Sequence, residues 1–233
     1  MTSENSTSAR LSDADLRRTI AVDAGRARAL LEPGWRSLAL VALAAVLLAV
    51  PGSAAGLRRD AGTLGYIRTW GFSLVQMIGA GMVLAAGLVR AIPGRPINKQ
   101  RDTVVLACAV GFVGVITLLT WESSSTTVPP GQWWFYWVSC FSSLTLGLPV
   151  LGLAMALAWR GFPLQPLTTG LLVGLGTGLA VDAGLRLVCD VSDPRHVFAA
   201  HTAAIAALGV IGLLLGWLWR VRAARRLGRS LGR

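Results

Sequence analysis

A helix that crosses the hydrocarbon core of a bilayer needs about 20 consecutive apolar residues, and this chain contains six predominantly apolar runs of that order. They fall at about residues 37–55, 66–89, 103–121, 133–159, 167–188 and 197–219, each bounded by charge, proline or aromatic residues. The first is short, and Pro51 and Gly52 are expected to bend or end it before Arg58, Arg59 and Asp60. Trp121, Trp133, Trp134, Trp137, Trp159, Trp217 and Trp219 cluster near the expected ends, as an aromatic belt at the membrane interfaces would require. The expected fold is therefore all-α: a polytopic membrane protein with a bundle of six transmembrane helices.

Composition excludes the soluble alternatives. With 54% hydrophobic and 14% charged residues and a mean hydropathy of +0.60, most of the chain is not built to face water. A formal charge of +11 would point to nucleic acid in a soluble protein. Here most basic residues flank apolar runs, where cytoplasmic loops accumulate Lys and Arg, so the charge is topological and no direct nucleic-acid partner is expected. The first 34 residues are polar and carry no apolar leader, which keeps the N-terminus in the cytoplasm.

Orientation then follows from the basic residues. Alternating from a cytoplasmic N-terminus, the inner segments hold Arg10, Arg17, Arg18, Arg26, Arg28 and Arg36, then Arg90, Arg95, Lys99 and Arg101, then Arg160, then Arg220, Arg222, Arg225, Arg226, Arg229 and Arg233. The outer side keeps only Arg58, Arg59, Arg68, Arg186 and Arg195. Seventeen against five places both termini inside, in the inner membrane. Arg58 and Arg59 are the local exception, offset only in part by Asp60. The expected organisation is a cytoplasmic segment at 1–36, a membrane domain at 37–219 and a basic tail at 220–233.

Chemistry is sparse. Gly79-Ala80-Gly81 followed by Leu84 lacks the third glycine of a dinucleotide fingerprint, and no Walker or HExxH motif occurs, so no enzyme is expected. Gly170, Gly174 and Gly178, and likewise Gly212 and Gly216, recur at four-residue spacing, which suits close helix packing in lipid. Continuing the first stripe by fours reaches Asp182 and Arg186, with Cys189 three further on. An ionisable pair within a membrane should face protein, either fixing the packing or serving function. Cys140, Cys189, His196 and His201 all fall toward the outer side, drawn from three helices of a chain with only three cysteines and two histidines. Both a disulfide and a soft-metal site fit those residue types; Cys108 lies on the cytoplasmic half and reads as packing.

The first 36 residues carry a pattern of their own. Ser12 to Asp15 looks like a capped helix start, and Leu16, Ile20, Ala24, Ala27 and Leu31 form a narrow apolar stripe between Arg17, Arg18, Asp23, Arg26 and Arg28. Its charge is balanced, which disfavours a membrane surface and favours docking into a groove of a soluble partner.

Taken together, these residues resemble the six-helix NrsF-like family, the negative regulators of extracytoplasmic-function sigma factors. The resemblance rests on Cys140, Pro149, Arg160-Gly161-Phe162-Pro163, Pro166, the glycines at 170, 174 and 178, Cys189, Asp193-Pro194-Arg195-His196-Val197, His201, and Gly209, Gly212 and Gly216. Leu16, Asp23, Leu30, Leu31, Pro33 and Arg36 look similar too, and the match is weakest across helices one to three. Val188 stands where many relatives carry a basic residue beside the fifth-helix cysteine. The resemblance implies an inhibitor that holds a sigma factor at the membrane, gripping it with Leu16, Ile20, Asp23, Ala24, Ala27 and Leu31, until a redox or metal signal acts on Cys140, Cys189, His196 and His201. The six-helix anti-sigma factors of light-induced carotenoid regulation look like relatives. The cofactor stays open. Two further classes fit the residues: a small transporter or channel subunit using Asp182, Arg186 and the histidines as a proton or metal path, for which no inverted repeat is visible, and a membrane metalloenzyme, which lacks a general base.

Overall fold

Pro33 occupies the first turn of the first helix, where its missing N–H costs nothing, and the apolar run after it continues as α1, Pro33–Ala55. Pro51 and Gly52 do not end it, and the expected bound near residue 55 holds. The helix runs through both and ends at Gly56, whose φ of 84° is a backbone state open to glycine. In this computed structural model the described residues are 32–56, 58–92, 98–122, 128, 131–142, 144–161, 163–191 and 193–231. The expected N-terminal helix, with Leu16, Ile20, Asp23, Ala24, Ala27 and Leu31, lies outside them.

Beyond α1 come a single turn, α2 (Ala61–Leu64), a wide π turn at Ile67–Gly71, and α3 (Phe72–Arg90). Then follow α4 (Lys99–Glu122), α5 (Trp133–Ser142), α6 (Leu144–Arg160), α7 (Pro166–Leu185), the short α8 (Pro194–His196), a second π turn at Val197–Thr202, and α9 (Ala203–Leu231). All regular structure among the described residues is helical. Among the described residues, five helical runs are long and apolar enough to cross a membrane: Ile67–Arg90, Lys99–Leu119, Trp133–Arg160, Pro166–Leu185 and Pro194–Arg225. With α1 they fall on the six expected apolar runs.

One boundary differs. The fourth run is helical over Trp133–Ser142 and Leu144–Arg160, and Ser142 Oγ donates to the Ser139 carbonyl at 2.7 Å and Thr145 Oγ1 to the Ser142 carbonyl at 2.7 Å. The last helix does not stop at Trp219 but continues through Arg220, Arg222 and Arg225 to Leu231. Arg, Ala and Leu are strong helix formers, so the end of the apolar run is not the end of the helix.

The centre of the bundle is α7. Fourteen of its residues from Thr169 to Gly184 are buried, and its glycines explain how neighbours come so close. A Cβ on Gly170 would overlap the Gly212 carbonyl oxygen, one on Gly174 would overlap that of Leu208, and one on Gly178 would lie 2.8 Å from the Cα of Ile205. The stripe on α7 is thus a backbone-to-backbone seam with α9. On the other side, Gly176 admits Leu84 of α3, and Gly87 of α3 admits Val173. The α3 positions Ala80, Val83, Leu84 and Leu88 and the α6 positions Val150, Leu151, Ala154, Met155 and Ala158 recur at helical spacing and complete the core. The outward faces are also apolar: Leu74, Val75, Ile78 and Met82 on α3 and Val104, Val110, Val115 and Leu118 on α4 are exposed. At one end, Trp159 and Trp219 stack with ring centroids 5.3 Å apart.

The seam makes a direct prediction. Gly174→Val, which drives two γ-methyls into the α9 backbone, should lower unfolding stability in detergent by at least the roughly 1–3 kcal/mol typical of overpacking. Gly152→Ala, where an added Cβ meets nothing within 4 Å, should be near neutral in the same denaturant titration.

Candidate functional site

A carboxylate enclosed by apolar helices must find donors for its oxygens, and Asp182, only 2% exposed near the C-terminal end of α7, finds them on three elements. Its Oδ2 accepts from Arg186 Nε one turn on at 2.9 Å and from Gln76 Nε2 of α3 at 2.6 Å. Its Oδ1 pairs with His201 Nδ1 of the second π turn at 2.7 Å. Gln76 Nε2 also donates to the Leu179 carbonyl at 3.1 Å. The expected Asp182–Arg186 pair is therefore present and faces protein, as part of a larger network.

Gln76 escaped the sequence reading, although a signal for it exists. Thr69, Ser73 and Gln76 are polar at helical spacing within an otherwise apolar run, and all three are buried; a polar stripe on an apolar helix marks the side turned toward protein. Arg58 is the second omission. It clamps Asp60 through two nitrogens at 2.6 and 2.7 Å, and its backbone N–H and Nη1 donate to the carbonyls of Leu187 and Arg186 at 3.1 and 3.2 Å. One of the two basic residues that ran against the charge count is thus a buried, paired strap across the end of α7.

Immediately beyond Asp182 the sulfurs and imidazoles converge. Cys140 Sγ of α5 lies 3.4 Å from Cys189 Sγ in the turn after α7, and Cys189 Sγ lies 3.6 Å from His196 Nε2. One ligand atom from each of Cys140, Cys189, His196 and His201 falls within 4.8 Å of the others. Cys140, His196 and His201 are buried and Cys189 is half-buried, whereas Cys108 is exposed. The four residues read from the sequence as one candidate sensor are therefore one cluster.

The local backbone accounts for the histidines. In an α-helix, residues five apart point about 140° away from each other, which would send His196 and His201 to different sides. The π turn at Val197–Thr202 widens the helix so that residues five apart come nearly into line, and the two rings meet edge to face at 5.5 Å. Asp193 caps this segment by accepting from the Arg195 backbone N–H at 2.8 Å, and Trp137 of α5 donates to the Ala199 carbonyl at 3.2 Å, tying α5 to the same turn. Asp190 sits at the edge of the cluster, and burial, followed by the neighbouring Cys189 and Asp60, raises its carboxyl above the ordinary carboxylate range.

Chemically, the cluster offers two soft sulfurs and two nitrogens, with a carboxylate braced behind one imidazole. A family model described as negative regulator of sigma F matches residues 20–220. Among curated proteins and among solved structures, none matches the chain.

Removing the central carboxylate should be expensive. Asp182→Leu leaves the Arg186 cation buried without its counter-charge, and such a change typically costs about 3–5 kcal/mol. Adding Arg186→Met should recover part of that loss, because the two substitutions share one interaction. Denaturant titration of the single and double variants checks the coupling, and strict additivity would show that the pair is not energetically linked.

Proposed function

This chain belongs to the NrsF family, the negative regulators of sigma F, and on that premise we propose that it is an anti-sigma factor of the inner membrane. In this reading it holds an extracytoplasmic-function sigma factor at the cytoplasmic face and releases it when a signal reaches the cluster of Cys140, Cys189, His196 and His201. The observation that carries the reading is the family match itself, which begins at residue 20 and so includes part of the N-terminal segment as well as the helices. A family defined across both is one in which the soluble segment and the bundle act together.

Membrane insertion is supported by the five long apolar helices and by the apolar side chains on their outer faces, since a soluble protein rarely leaves so much contiguous apolar surface in water. With seventeen basic residues on the inner side, residues 1–36 and the basic end of α9 lie in the cytoplasm and the thiol cluster lies toward the periplasm. The grip on the sigma factor is assigned to the helix expected from the spacing of Leu16, Ile20, Asp23, Ala24, Ala27 and Leu31, whose apolar stripe would fit a helix-in-groove contact. Asp182 and Arg186 connect the cluster to α3 and to the strap of Arg58, so a change at the sulfurs bears on the packing of the whole outer half.

Deletion of residues 11–31 should abolish recovery of the sigma factor in a pull-down while leaving membrane insertion intact. Retention of the sigma factor would move the binding site to residues 90–102 or to the basic end of α9. Replacing Cys140 or Cys189 by Ser should change induction of the sigma-dependent genes without loss of the protein from the membrane. Unchanged induction in both variants would reduce the thiols to packing residues.

A further inference from the structure

Two sulfurs and two imidazole nitrogens gathered within 4.8 Å of one another are the donor set of a soft-metal site. In tetrahedral zinc sites the Zn–S and Zn–N bonds are about 2.3 and 2.0–2.1 Å, so by the tetrahedral angle two ligating sulfurs stand about 3.8 Å apart and a sulfur and a nitrogen about 3.6 Å apart. Here Cys140 Sγ and Cys189 Sγ are 3.4 Å apart, Cys189 Sγ and His196 Nε2 are 3.6 Å apart, and all four ligand atoms lie within 4.8 Å of one another. A shift of a few tenths of an ångström brings the sulfurs to the tetrahedral edge.

The second observation is a lone pair without a partner. His201 is 2% exposed, its Nδ1 is engaged by Asp182, and its Nε2 makes no hydrogen bond at normal distance. Buried polar atoms are satisfied as a rule. In the tautomer that carries its proton on Nδ1 against the carboxylate, His201 offers Nε2 as an acceptor, which is the arrangement by which an outer carboxylate fixes a metal-binding histidine.

We propose that Cys140, Cys189, His196 and His201 form one closed tetrahedral site for a soft divalent cation of the zinc class, with Asp182 as the outer carboxylate that orients His201. The inference rests on the reading of this cluster as the sensor and names what that sensor takes. Charge closes locally: two thiolates neutralise the divalent ion, and Arg186 neutralises Asp182. Sulfur and imidazole select zinc or cadmium over magnesium and calcium, which take oxygen ligands. Four protein ligands leave no open position for catalysis. Bound metal would join α5, the turn after α7 and the start of α9, three segments that otherwise meet through few polar contacts.

The test uses the full chain in detergent micelles, loaded with Zn2+ for elemental analysis and with Co2+ as the spectroscopic probe. Wild type should retain one ion per chain and show thiolate-to-cobalt charge-transfer absorption with tetrahedral ligand-field bands. Cys140→Ser and His201→Gln should lose the ion, and Asp182→Asn should keep the spectrum while binding 10–100-fold more weakly, the usual loss for an outer partner. As a readout that needs no variant, Zn2+ should protect Cys140 and Cys189 of wild type from alkylation, and a chelator should remove the protection. Wild type that takes up no stoichiometric ion and gives no charge-transfer band overturns the site. If the Cys→Ser variants then still alter induction, the regulatory reading survives with a different thiol chemistry. A protein that binds metal yet never retains a sigma factor would keep the site and overturn the reading of the chain as a regulator.

Discussion

The structure turns on a single buried carboxylate. Asp182 sits where water cannot solvate it, so the folded state is tolerable only if its oxygens are fully partnered. The three donors come from α7 itself, from α3 and from the π turn before α9. Satisfying one residue therefore fixes the mutual position of three elements. It also fixes the tautomer and direction of His201, and with it one vertex of the thiol and imidazole cluster.

That network forms only because the backbones approach closely. In lipid no hydrophobic force gathers helices, and contact depends on packing and hydrogen bonding. The glycines of α7 remove the side chains that would hold α9 away, so the seam from Gly170 to Gly178 delivers Ile205 and the preceding π turn against Asp182. The π turn then does what an α-helix of the same sequence would not, by stacking two histidines five residues apart on one side. Close packing, a local widening of the helix and a buried charge are three parts of one arrangement.

Much of this was legible from residues alone. The six apolar runs, their ends and the helical class follow from counting, because a span has a fixed minimum length. The pairing of Asp182 with Arg186 follows from four-residue spacing, and the glycine seam from the same arithmetic. Gln76 was readable in principle from the polar stripe of Thr69, Ser73 and Gln76, yet polarity within a helix says only that a side faces protein and not which residue it meets. The expected bound of the first run coincides with the end of α1 at Ala55, whereas α9 runs on past the apolar stretch that closes at Trp219: hydropathy marks where a membrane could end, and helix ends are set by backbone chemistry such as the positive φ of Gly56.

By itself the sequence determined the number of long apolar runs, the residue types available for chemistry and the family pattern, since each depends on composition or on distance along the chain. Tertiary structure alone decided that Arg58 is a paired strap rather than a free loop charge, that His201 is held from behind by Asp182, and that four donors from three segments lie within 4.8 Å of one another. Those facts depend on distances between residues far apart in the chain, and local spacing carries no information about them until the helices are packed.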